Sequence, residues 1–241
     1  MRVYVDEEST MQRTVITATA EFFGTALLVC VVVGSGIMGV NLSTDVGVSL
    51  IINTLSTVFA LALLILILGP ISGAHLNPAV TLVQLITKAH TVRDSAAYVI
   101  AQIAGAITGA ILANVMFDLP AVTFSLHERT SVGTLIGEVV ATAGLIAIIG
   151  ILSARSQAAL IPVAVAAWIG SAYFFASSTS FANPAVTIGR MFSDTFAGIA
   201  PTSALPFIAA QLVGAALGVL LVSATNRATR TMSTQVNKKQ E

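Results

Sequence analysis

Six long apolar stretches, at about 17–40, 49–69, 95–117, 132–153, 158–177 and 205–225, constrain this chain more than any other feature. Crossing the hydrocarbon of a bilayer takes about 20 mostly apolar residues as helix, and each stretch is long enough. Only 9% of the residues are charged, against about a quarter in soluble domains, so the chain cannot furnish the polar surface a soluble fold needs. Its solvent is mainly lipid, and the fold class that follows is an all-α membrane protein. Gly and Ala are scattered through the spans, as membrane helices permit where backbones approach closely. A net charge of zero with no basic stripe argues against a nucleic-acid partner. The single cysteine, Cys30, excludes a disulfide within the chain and reads as a small buried hydrophobe. The sequence suggests no metal-ligand cluster, no cofactor and no convergent nucleophile and base, so an enzyme is not expected. The first fourteen residues are mixed in charge and precede an apolar stretch too long for a signal-peptide core, so they are expected to stay, anchored by the first span.

An even number of spans puts both ends of the chain on one side, and charge decides which. With both ends inside, the cytoplasmic segments hold Arg2, Arg13, Lys88, Arg93, Arg155, Arg227, Arg230, Lys238 and Lys239, and the outside holds only Arg129 and Arg190. That bias places both termini in the cytoplasm of a multi-pass protein of the plasma (cell inner) membrane. The polar segment at about 226–241 is expected to be a mobile cytoplasmic tail.

Residues 1–241 read as one domain built twice, with repeats at about 14–117 and 130–225. Asn77-Pro78-Ala79-Val80-Thr81 recurs letter for letter as Asn183-Pro184-Ala185-Val186-Thr187. Ala101-Gln102-Ile103-Ala104-Gly105 matches Ala210-Gln211-Leu212-Val213-Gly214, and Glu21 precedes Thr25 by four residues as Glu138 precedes Thr142. Three ordered matches point to duplication. Each half has an odd number of spans, so the second copy is inverted, and inverted repeats put the functional site near the midplane between the halves. A channel and a transporter suit that geometry equally.

Each Asn-Pro-Ala copy precedes a short apolar run, about 79–89 and about 185–193. Eleven helical residues span about 16 Å, roughly half the hydrocarbon, so each run reads as a re-entrant half-helix. Asn is a preferred N-cap, Pro suits the first helical position, and Ala keeps the junction slim. With its oxygen engaged in capping, each Asn still has amide donors to offer sideways. Two half-helices meeting at the midplane both point positive dipole ends there, a barrier to cations and protons but not to a neutral hydroxylated solute. The extended stretches ahead of the motifs supply carbonyl acceptors, assigned to Gly73, Ala74 and His75 in one half and Thr179, Ser180 and Phe181 in the other. Non-helical backbone at this depth is tolerated where it lines a wet cavity or is buried in protein.

With these residues in hand, the chain resembles the aquaporin or major intrinsic protein family over nearly its whole length. The resemblance rests on Ala20-Glu21-Phe22-Phe23-Gly24-Thr25, on Ser72-Gly73-Ala74-His75-Leu76-Asn77-Pro78-Ala79-Val80-Thr81 and on Asn183-Pro184-Ala185. It implies a homotetramer with one pore per subunit and an outer selectivity constriction of four positions, which fall by counting on Thr57, Ser171, Ser180 and Val186. The usual family has Arg where this chain has Val186. These four residues are small and uncharged, which implies a wide, Arg-less constriction. The Val also resembles a bacterial arsenic-associated, aquaglyceroporin-like branch, implying passage of arsenite and methylated arsenicals beside glycerol-like polyols and water. A coupled secondary transporter of a small solute and a water-selective aquaporin are the alternatives.

Several other residues carry readings of their own. Glu21 and Glu138 are intramembrane carboxylates, costly and functional by default; they read as loop-supporting acceptors, with proton coupling as the other reading. His75 reads as a pore-lining structural histidine, the other reading being a pH gate, since histidine titrates near neutrality. Arg190, one helical turn beyond Val186, reads as a snorkelling side chain at a helix end, the other reading being a swing toward the pore mouth that partly replaces the missing charge. Gly105 and Gly109, matched by Gly214 and Gly218, read as close helix crossings. Trp168, Tyr173, Phe174 and Phe175 are expected to face lipid or a neighbouring subunit.

Overall fold

A computed structural model describes residues 7–237. Arg2, Lys238 and Lys239, used above to orient the chain, lie outside the described residues. Eight α-helices follow in order: α1 (Glu7–Leu42), α2 (Val46–Ser72), α3 (Pro78–Ile86), α4 (Val92–Met116), α5 (Val132–Ala154), α6 (Ile161–Phe175), α7 (Pro184–Arg190) and α8 (Pro201–Asn237). A single 3-10 turn, Ala158–Leu160, leads into α6. Six of these segments are long and apolar enough to cross a membrane, and they coincide with the six stretches read from the sequence. The remaining two, α3 and α7, have nine and seven residues, too short to span at about 1.5 Å per residue. Helix α8 continues without a break to Asn237, so the polar segment from about 226 is helical as far as the described residues reach.

The two halves are arranged alike. Helix α1 packs mainly on α4 and α2, and α5 packs mainly on α8 and α6, while α2 meets α6 across the halves. Glycine permits the tightest of these contacts. A Cβ at Gly105 would stand 2.3 Å from the Phe22 carbonyl oxygen, and one at Gly109 2.1 Å from that of Ala26. On α8, a Cβ at Gly214 would stand 2.5 Å from the Val139 oxygen, and one at Gly218 2.6 Å from Ile146 Cβ. The small-residue spacing thus sets backbone-to-backbone approach of α4 on α1 and of α8 on α5.

Capping side chains define where helices begin. Asp45 accepts from the amides of Gly47 and Val48 at the start of α2, and Ser131 and Thr134 form a reciprocal capping box at the start of α5. Helix α2 ends on Gly73, whose left-handed φ of 84° turns the chain inward. The α4–α5 connection is laid over the segment after α7. Ser125 N donates to the Met191 carbonyl, Ala200 N to that of His127, and Arg129 to those of Gly198 and Phe196. Glu128 accepts from Thr202 and Ser203, and these two hydroxyls hold its carboxyl below the usual carboxylate range.

Candidate functional site

The two half-helices meet end to end. Asn77 caps α3 by accepting from Ala79 N at 2.9 Å, and Asn183 caps α7 by accepting from Ala185 N at 3.0 Å. Each Asn then donates across the junction: Asn77 Nδ2 to the Ala182 carbonyl at 2.8 Å, and Asn183 Nδ2 to the Leu76 carbonyl at 2.7 Å. An amide nitrogen carries two hydrogens, so one of each pair cross-links the motifs and the other is left for the space between them.

The strands of chain ahead of the motifs are strained. Ala74 and Leu76 in one half, and Thr179, Ser180 and Ala182 in the other, all have positive φ without being glycine. Such a conformation costs on the order of 1–3 kcal/mol each and persists only where surroundings impose it. The carboxylates impose it here. Glu21 accepts from Ser72 Oγ, His75 N, Leu76 N and Gln102 Nε2 at 2.6–3.0 Å. Glu138 accepts from Phe181 N, Ala182 N and Gln211 Nε2 at 2.6–2.8 Å. Each glutamine spends its second N–H on the threonine that ends the repeated motif: Gln102 on Thr81 and Gln211 on Thr187. The matched glutamines were visible as repeats, but their pairing with the glutamates lies outside what sequence order shows.

A cavity of about 920 Å³ runs past this junction, from Thr10 and Arg13 on α1 to Arg190 at the end of α7. Its walls are stripes of helical spacing: Thr57, Leu61, Ile65 and Gly69 on α2, Leu145, Ile149 and Ser153 on α5, and Ile161, Val165, Ile169 and Tyr173 on α6. Residues four apart share one helix face. Both Asn77 and Asn183 line the cavity, as do Gly73, Ala74, His75, Leu76, Ser180, Phe181 and Ala182. Thr179, expected in the carbonyl track, is not in the wall, and Ala182 is.

Of the four counted constriction positions, Thr57, Ser180 and Val186 line the cavity and Ser171 does not. Ser171 is exposed on the outer side of α6. Tyr173, expected to face outward, is instead buried in the wall and donates its hydroxyl to Thr57 Oγ1 at 3.2 Å. Two residues on a helix are about 200° apart, so a count that slips by two changes the face. Phe174 and Phe175 are exposed, as expected, while Trp168 is partly buried with its Nε1 on the Ala141 carbonyl.

Arg190 also departs from its expected place. It does not snorkel outward: only 4% exposed, it lines the cavity, its Nε on the Ala197 carbonyl and its guanidinium 3.4 Å from the centroid of the Phe181 ring. The repeat held the signal. Arg190 follows Val186 by four residues as Gln84 follows Val80, and all four line the cavity.

At the end of the cavity near the start of α1, His75, His90 and Tyr98 form a ring cluster with centroids 4.9–5.2 Å apart. His75 Nδ1 lies 3.1 Å from Thr81 Oγ1, which supports its reading as a positioned wall residue.

Six spans, two half-helices abutting in an inverted repeat and a cavity threaded between their caps define a membrane channel fold, and residues 8–177 match the major intrinsic protein family. The chain belongs to that family of passive channels. It is 48% identical over 203 residues to the aquaglyceroporin AqpS of Rhizobium meliloti (strain 1021), covering 84% of this chain and 87% of that one. With a probable TIP-type aquaporin of Medicago truncatula it shares 28% identity over 91% of this chain and 92% of the other. The X-ray structure of the aquaglyceroporin from Plasmodium falciparum superposes with a TM-score of 0.69 at 20% identity, over 87% of this chain and 94% of that one; that likeness is one of fold.

Proposed function

We propose that the protein is a passive, multi-pass plasma-membrane channel for water and glycerol-like polyols that also passes arsenite and methylated arsenicals, working as a homotetramer with one pore per subunit. The observation that carries the reading is the cavity running past both capping asparagines, walled by apolar stripes along one side and polar backbone along the other. The similarity to an aquaglyceroporin over most of both chains supports the polyol class.

Glycerol and arsenous acid are both small uncharged triols at neutral pH, so a line of donors and acceptors that passes one suits the other. Thr57, Ser180 and Val186 all line the cavity and are small and uncharged, which supports a wide, Arg-less constriction with room for a solute larger than water. The passive reading is favoured over a coupled transporter by the intramembrane carboxylates themselves. Glu21 and Glu138 hold three or four donors each, and a proton cycling on and off either would break the contacts that shape the loops.

Stopped-flow permeation in proteoliposomes tests this, with water, glycerol and arsenous acid compared at one protein density. Rapid, non-saturating flux of all three, indifferent to a proton gradient, is the expected result. Fast water flux with glycerol and arsenous acid excluded would overturn the polyol and metalloid reading, and saturable, gradient-driven flux would overturn the passive one.

A further inference from the structure

The cavity wall includes an arginine, Arg190, whose two terminal nitrogens donate to no protein group among the described residues. Arg190 Nε is held by the Ala197 carbonyl, and the guanidinium plane is held against Phe181. Phe181 is itself fixed: its amide donates to Glu138 and its ring meets Phe207 edge-on at 5.2 Å. Arg129 lies over the same ring at 5.4 Å, but its Nε and Nη2 are taken up by the Gly198 and Phe196 carbonyls and it is not among the residues that line the cavity. The Arg190 fork is therefore the one left facing the cavity.

We infer that Arg190 is the specificity-determining cation of this pore, presenting two parallel donors, one helical turn beyond Val186, to solutes that carry oxygens on the same or adjacent atoms. This rests on the polyol reading above. A guanidinium differs from an ammonium in offering a planar pair of N–H donors in fixed geometry, and stacking on an aromatic face keeps that plane from turning. A solute with adjacent hydroxyls replaces two waters with two charge-assisted hydrogen bonds as it passes. A solute with separated hydroxyls meets the fork with one at a time. The same charge, buried and without a carboxylate partner in contact among the described residues, repels an entering cation. Thus the chain lacks Arg at 186 in sequence but not a guanidinium in the wall.

The test uses Arg190→Gln and Arg190→Lys in proteoliposomes, with 1,2-propanediol against its isomer 1,3-propanediol, and potassium leak as a second readout. The wild type should pass the 1,2-isomer faster, by roughly two- to tenfold, the range one hydrogen bond supplies. R190Q should lose that preference and admit potassium. R190K should lose the preference but still exclude potassium, which separates the fork from the charge. Retained water flux verifies that each variant folds. An unchanged isomer ratio in both variants overturns the donor role, and no potassium leak in R190Q overturns the charge role. If the wild type passes water but neither diol, the polyol reading itself fails and the donor role with it, while the leak still decides the charge.

Discussion

Glu138 sits at 0% exposure beneath a loop in which Thr179, Ser180 and Ala182 all adopt left-handed backbone. Its two oxygens gather the amides of Phe181 and Ala182 and the side-chain nitrogen of Gln211. Glu138→Ala would leave three buried donors unpaired, at about 1–3 kcal/mol each, and release the strain they hold. Thermal unfolding of the purified protein should show a loss of at least about 2 kcal/mol, with Glu138→Gln intermediate because the amide keeps one acceptor oxygen. An alanine variant as stable as the wild type would mean the loop holds itself. Repeat symmetry and the family resemblance point to a supporting role for both glutamates, and each accepts backbone amides of its own loop. What they could not give was the partner set, because Gln211 lies 73 positions away and meets Glu138 only once α8 packs on α5. Arg190 is the same case: its Nε is anchored by a carbonyl seven residues on, in a segment with no periodic signal to place it.

At the scale of elements, nearly all of the architecture was legible. Apolar length located the six spans, the Asn-Pro pair located both half-helices, and the small-residue spacing marked the two closest crossings. The error on α6 is of another kind. Spacing shows that a helix has a face, but not which face turns inward when almost every residue is apolar, so Ser171 and Tyr173 were assigned to the wrong sides. Crossings and free faces should also respond differently to added bulk. Gly109→Ala would drive a Cβ into the Ala26 carbonyl at 2.1 Å, whereas a Cβ at Gly69 meets nothing within 4 Å. Thermal unfolding should therefore show Gly109→Ala destabilised by about 1–3 kcal/mol, as for other overpacked sites. Gly69→Ala should be neutral or slightly stabilised, since Gly in a helix interior costs roughly 0.5–1 kcal/mol against Ala. Equal effects at the two positions would mean that α1 and α4 do not depend on close backbone contact.

For the whole molecule, burial of Arg190 sharpens the charge asymmetry that orients it. Arg13, Lys88, Arg93, Arg155 and Arg227 lie on the face that carries the chain ends. With Arg190 drawn into the wall, only Arg129 remains on the opposite connections, where its side chain is spent on the Gly198 and Phe196 carbonyls. Those connections also carry Asp118, Glu128 and Asp194. Lys and Arg near span ends are retained on the cytoplasmic side, while acidic residues contribute little, so the chain ends should lie in the cytoplasm. Two variants, each with one cysteine added beside the buried Cys30, decide the matter in intact cells without disturbing the pore. Ala121 and Ser156 are both exposed, in the α4–α5 and α5–α6 connections respectively. A membrane-impermeant maleimide should label Ala121→Cys directly and Ser156→Cys only after permeabilisation. The reverse pattern would invert the molecule, turning the Arg190 end of the cavity toward the cytoplasm and the His75, His90 and Tyr98 cluster toward the outside.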